Sequence, residues 1–197
     1  KNKLSSQLKL KQIVILFSSH DDEEKMFIQC HQDLSKKINN LFFIIVPRHI
    51  NRVKKITEEF NKKKIAYLLK SKGELKVKNE NFLIVDTFGE LGVFFKLSNI
   101  AVVGGSFSSN GGHNPIETKD FNCSLIFGPH MENFGDIRDK IISFKAGFEV
   151  KNSHQLLVVI SQLLKNKELN KNTHQNFKKL CEIQANKSKS ILKSLLE

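Results

Sequence analysis

The sequence predicts an α/β protein built on a doubly wound, largely parallel sheet, and three observations predict it. Short runs of Ile, Val, Leu and Phe alternate with amphipathic stretches, the pattern of parallel strands joined by crossover helices. Residues suited to polar ligands fall directly after the apolar runs, where open α/β sheets form their crevices. With 197 residues and 40% hydrophobic content, one sizeable core is expected, so a single domain should span 1–197.

Gln12–Ser18 (QIVILFS) reads as the first strand, and Ser19-His-Asp-Asp-Glu-Glu24 then opens a helix reaching about Lys37. A cap residue and early carboxylates suit the unpaired N–H groups and the dipole at that end. Leu41–Val46 is a second buried strand ended by Pro47, and His49–Lys63 reads as a charged surface helix. Ile65–Leu69 is a third strand, Lys70–Asn81 a polar, Lys-rich connection, and Phe82–Asp86 a fourth strand. A short helix over Gly89–Leu97 leads to the fifth strand, Ile100–Val103. The loop Gly104–Gly112 is rich in glycine and serine, a helix is expected to begin near His113, and Ser124–Phe127 is the sixth strand. Helices are expected over Asn133–Ser143, Ser153–Leu164 and Lys167–Leu196, the last of them closing the chain.

Composition narrows the function. A formal charge of +12 calls for a polyanionic neighbour: nucleic acid, an anionic membrane surface or a phosphorylated substrate. No apolar run approaches the roughly 18 residues that span a bilayer, and the segment from Lys1 to Lys11 is too polar for a signal sequence, so a soluble or peripherally bound chain is expected. Cys30, Cys123 and Cys181 are odd in number and widely spaced, which disfavours a disulfide framework or a thiolate metal site and suits a reducing cytoplasm. The seven histidines form no zinc-type spacing, although His113 and His130 have room to meet at their loop ends; no metal and no cofactor are expected.

The strongest local signal is strand, glycine-rich loop, helix start: Val103-Gly-Gly105, then Gly111-Gly112-His-Asn114-Pro115-Ile116-Glu117. Glycine lets a backbone approach a phosphate, N–H groups at a helix start bind anions, and Pro115 suits the first turn. Glu117, about one turn further in, is placed to accept hydrogen bonds from a ribose diol. The loop lacks both the dinucleotide fingerprint and the Lys-Ser/Thr of a P-loop, so neither NAD nor ATP is favoured. Pro47-Arg48-His49 ends a strand with a guanidinium whose planar fork suits phosphate. Asp86-Thr-Phe-Gly-Glu-Leu-Gly92 offers backbone groups and an aromatic ring to a base.

Taken in order, Pro47-Arg48-His49, Asp86-Thr-Phe88-Gly89-Glu90-Leu-Gly92, Gly104-Gly-Ser106, Gly111-Gly-His-Asn-Pro-Ile-Glu117 and Phe127-Gly-Pro-His-Met-Glu-Asn-Phe134 resemble the carboxy-terminal domain of the Kdo (3-deoxy-D-manno-octulosonic acid) transferases of lipopolysaccharide synthesis. The resemblance covers nearly the whole chain. It implies the Rossmann-like carboxy-terminal domain of a GT-B glycosyltransferase, holding CMP-Kdo while an amino-terminal domain, which this chain lacks, holds the lipid A precursor and the general base. Pro47 and Arg48 would line the CMP site, with Arg48 stabilising the leaving group. Phe88, Gly89 and Glu90 would contact the nucleotide, and Gly112 with Asn114, Pro115, Ile116 and Glu117 would hold phosphate and ribose. The resemblance further implies work at the cytoplasmic face of the bacterial inner membrane, beside anionic lipid, rather than on nucleic acid. The family usually has Gly at the position of Asp22, Pro-Glu at Ile50-Asn51 and Met at Phe88. A non-catalytic basic anion-binding module and a GT-B enzyme using a UDP-sugar remain the alternatives.

Overall fold

The computed structural model describes residues 3–73 and 75–196, with side chains from Leu4 through Lys187; Lys1, Asn2, Glu74 within the polar connection, Glu197, and the side chains of Lys3 and of the end of the basic tail lie outside. Seven strands form one sheet: β1 (Gln12–Ser19), β2 (Leu41–Pro47), β3 (Leu68–Leu69), β4 (Phe82–Ile84), β5 (Ile100–Val103), β6 (Ser124–Phe127) and β7 (Gly147–Glu149). Their order is β3-β4-β2-β1-β5-β6-β7, and every pairing is parallel. Parallel strands covered on both faces read as unbroken apolar runs, and Val14 to Phe17 and Leu41 to Ile45 are accordingly buried throughout.

Side chains of alternate strand residues enter two separate cores. Ile13, Ile15 and Phe17 face a layer made by α1 (Lys3–Gln7), α4 (Leu91–Leu97), α5 (Gly135–Ser143) and α7 (Lys167–Leu196), supplying among others Leu4, Phe94, Phe95, Ile141, Phe177 and Leu180. Val14 and Leu16 face the opposite layer, where α2 (Glu23–Leu34), α3 (Val53–Lys62) and α6 (Ser153–Lys165) bring Phe27, Ile28, Ile56, Phe60, Leu156 and Ile160. Helices on both faces make the sheet doubly wound. The chain runs outward from β1 to β2, then returns through α4 to β5 on the other flank of β1. The carboxyl ends of β1 and β5, paired at Phe17 and Val103, therefore form the switch point where such sheets open a crevice.

The local outcome differs from the sequence reading in several places. The helix expected near His113 is only a 3-10 turn over Pro115–Thr118, because the Thr118 hydroxyl folds back onto the Pro115 carbonyl at 2.9 Å and the chain then turns to β6. The third strand shrinks to Leu68–Leu69 at the sheet edge, and the fourth ends at Ile84. The edge strand β7 and the short α1 had no sequence counterpart. The expected helices from His49 and Asn133 each begin as 3-10 turns, Ile50–Arg52 and Glu132–Phe134, before α3 and α5.

Candidate functional site

The crevice starts from an irregularity in β1. Ser18 adopts φ 53°, and the pairing with β2 slips between Phe17 and Ser19. A residue in the left-handed region breaks the pleat, so the chain leaves the sheet sharply there. The backbone of Arg48 follows, its N–H donating to the Ser19 carbonyl at 3.1 Å, which fixes the end of β2 beside the end of β1.

One buried carboxylate then ties three segments together. Glu23, 2% exposed, accepts the N–H groups of His20 at 2.8 Å and Gly105 at 2.9 Å on Oε2, and that of Phe107 at 3.1 Å on Oε1. Burial raises its carboxyl above the usual range, against the pull of those donors. Its neighbour Glu24 accepts from Ser19 Oγ at 2.8 Å and from Arg52 at 2.9 Å, and Arg52 also pairs with Asp21. The carboxylates expected to serve the helix dipole thus hold loops instead. Sequence spacing gave no sign of a contact 82 residues away.

Across the crevice, the loop after β5 is closed by Ser106, whose Oγ donates to the Val103 carbonyl at 2.6 Å and accepts the Gly128 N–H at 2.7 Å. Gly112, at φ 74°, donates its N–H to the Gly105 carbonyl at 2.9 Å, and a Cβ there would strike the Met131 sulfur. Glycine here permits the loop to close onto residues 130–133. Asn114 caps the 3-10 turn, accepting the Ile116 N–H at 3.0 Å, with Pro115 at its first position. That turn presents Glu117, whose carboxyl is raised by burial while the nearby Arg48 guanidinium pulls it down. Arg48, just after β2, and Glu117, in the turn after β5, are therefore close enough for their charges to interact.

Two imidazoles, His20 and His113, lie in the same neighbourhood, both within reach of the charge of Arg48. His20 Nε2 and His113 Nε2 are 2.8 Å apart, with ring planes 3° from parallel. His113 thus meets His20, not His130, which pairs with Glu132 at 3.1 Å. Burial, then His20, Arg48 and His49, lower the pKa of His113 to about 4; burial, then His49 and Arg52, lower that of His20. The signal available in the sequence was a histidine directly after β1 and another just before the capped turn.

The Asp86–Glu90 segment follows β4, one strand beyond β2. Phe88 is 78% exposed, an aromatic ring held open to solvent, and Gly89 sits at φ 83°. Glu90 is engaged by Lys70 at 3.1 Å and Thr87 Oγ1 at 2.9 Å, and Lys70 holds its carboxyl below the usual range. These contacts lie on the β3 side, whereas Arg48 and Glu117 are linked only through the interaction of their charges. Among the described residues, no group of three His, Cys, Asp or Glu side chains is arranged to hold a metal ion.

No family model matches the chain. In sequence it is 35% identical over 162 residues to the 3-deoxy-D-manno-octulosonic acid transferase of Rickettsia bellii, covering 82% of this chain and 38% of that protein. It is 33% identical over 157 residues to the enzyme of the same name from Haemophilus influenzae, covering 79% of this chain and 37% of that protein. The chain thus spans less than two-fifths of the length of these curated relatives. Among solved structures it superposes on the C-terminal CMP-Kdo binding domain of WaaA from Acinetobacter baumannii with a TM-score of 0.84 and 25% identity, covering 91% of this chain and 96% of that one.

Proposed function

The chain is a relative of the 3-deoxy-D-manno-octulosonic acid transferases that matches their carboxy-terminal CMP-Kdo binding domain, and from that premise we propose that its crevice holds CMP-Kdo as the donor half of a Kdo transfer to a lipid A precursor. The observation that carries this reading is the meeting of Arg48 with the Asn114-capped turn bearing Glu117 at the switch point of the sheet. A guanidinium and a carboxylate close enough for their charges to interact suit the two ends of a nucleotide monophosphate: phosphate at the fork of Arg48, ribose hydroxyls at Glu117.

In the proposed reaction the bond between the anomeric carbon of Kdo and the phosphate oxygen breaks, and the electron pair leaves on CMP. Arg48 stabilises that developing charge through charge-assisted hydrogen bonds from its guanidinium. Pro47 and Gly112 shape the walls, Asn114, Pro115 and Ile116 set the turn, and Phe88, Gly89 and Glu90 form the rim toward the base. The acceptor hydroxyl loses its proton to a carboxylate of the acceptor-binding domain of such a transferase, and the part proposed for these 197 residues is to hold the donor. The abundant Lys and Arg, 32 in all, suit work beside anionic lipid at the cytoplasmic face of the inner membrane. No helix among the described residues is long and apolar enough to cross a membrane.

Isothermal titration with CMP tests the reading. Binding should weaken by about tenfold or more in Arg48→Ala and in Glu117→Ala, the loss expected for one charge-assisted contact. Binding that ignores both substitutions, or that UMP matches in affinity, would remove the site or its base preference.

A further inference from the structure

The two facing imidazoles are built into the crevice from several directions. His20 is anchored through its own N–H to Glu23 Oε2, the atom that also receives the Gly105 N–H. Both rings rest on Gly105: a Cβ there would lie 3.1 Å from the His113 ring and 3.3 Å from that of His20, at a φ of 68°. The Gly105 carbonyl in turn receives Gly112, the residue preceding His113. One carboxylate and one glycine therefore set the backbone on both sides of a 2.8 Å Nε2 to Nε2 approach.

At that separation one nitrogen donates and the other accepts, so the pair carries a single proton between its Nε2 atoms. A second proton there would set two Nε2–H donors against each other and make one of the rings an imidazolium. The surroundings oppose it as well: His20 faces His49, Arg52 and Arg48, relieved by Glu24, whose carboxylate is already bonded to Ser19 and Arg52, while His113 faces Arg48 and His49. Of these cations Arg52 is already paired with Glu24 and Asp21, and Arg48 lies near the Glu117 carboxylate. A phosphate arriving beside Arg48 adds negative charge next to the two imidazoles and so favours a further proton on them.

We propose that His20 and His113 share one proton while the crevice is empty and take up a second when a phosphodiester occupies it, each imidazole then donating toward the phosphate. This rests on the donor-binding reading above. It makes the pair a phosphate-binding device coupled to proton uptake, beyond the fixed charge of Arg48. The proton comes from solvent on binding and returns to solvent on release.

The probe is the methyl ester of CMP, a phosphodiester with no phosphate group titrating near neutrality, measured by calorimetry at pH 6.5 to 8 in two buffers of different ionisation enthalpy. The expected result is uptake approaching one proton per ligand, with affinity rising about tenfold for each pH unit lowered across the window where uptake is complete. The double variant carrying His20→Gln and His113→Gln should abolish the buffer dependence while leaving measurable binding through Arg48, whereas either single variant, His20→Gln or His113→Gln, keeps one titrating imidazole. Binding with no net proton exchange, or uptake that persists in the double variant, overturns the inference and leaves the donor-binding reading standing. If the ester does not bind at all, the donor-binding reading fails, and imidazole NMR titration of the free chain judges the pair by itself. There, one shared proton and no second protonation until well below pH 6 is expected for the pair, with the surviving imidazole reverting to ordinary titration in either variant; two independent titrations near 6.5 would overturn it.

Discussion

Glu23 concentrates several functions on one side chain. Removing it in Glu23→Ala leaves three N–H groups without their acceptor in a buried position, so a loss of about 3 kcal/mol is expected, and CMP binding should fall with it because His20, Gly105 and Phe107 lose their common anchor. Glu23→Gln keeps one acceptor oxygen and should cost about half as much; urea unfolding of both variants measures the difference. Nothing in the sequence marked this glutamate off from its neighbour Glu24, since its partners come from the loop after β5. Asp22 is the opposite case, legible in part. The family resemblance puts glycine at this position, and the structure shows why: Asp22 stands at φ 65°, in the left-handed region that aspartate tolerates and branched residues do not. Asp22→Val should therefore destabilise by about 1–2 kcal/mol in the same unfolding assay, although the side chain is exposed.

Helix α2 has a pH dependence built into its buried face. His31 packs on Phe43 and Phe82 with ring centroids 4.9 and 4.4 Å away, is 6% exposed, and its Nε2 has no hydrogen-bond partner among the described residues. Burial, with help from Lys11, lowers its pKa from 6.5 to about 4. The unfolded chain then binds the proton more readily than the folded one. Its contribution is therefore fully present above pH 6.5 and is lost as pH falls from 6.5 toward 4, a change of order 2–3 kcal/mol. His31→Leu should flatten that part of the stability profile, read from urea midpoints at pH 7.5, 5.5 and 4.5. Most elements were readable because their residues alternate between two apolar cores or run unbroken through the sheet. The exceptions share a cause: β7 is three half-buried residues whose place is fixed by pairing with β6, and the turn at Pro115 is ended by the Thr118 hydroxyl, a local bond that competes with helix continuation.

For the molecule as a whole, the sheet order was less legible than the strands, and the crevice less legible than the motifs. Pro47-Arg48-His49 and Asn114 to Glu117 stood out singly, yet their apposition depends on β2 and β5 flanking β1, a long-range arrangement that no spacing encodes. The two histidines gained meaning only once β1 and β5 were neighbours. That dependence of the site on the assembled sheet has a measurable consequence. A ligand spanning Arg48 and Glu117 binds the folded chain alone, so CMP at a hundredfold excess over its Kd should stabilise by about 2.7 kcal/mol. For a chain of this size that corresponds to a rise of roughly 5–10 °C in Tm. Differential scanning fluorimetry should show the rise with CMP, a smaller one with UMP at equal concentration, and almost none for CMP in Arg48→Ala. An equal rise with CMP, UMP and inorganic phosphate would mean that the positive charge of the chain binds any phosphate, and the crevice would then have no nucleotide preference to explain.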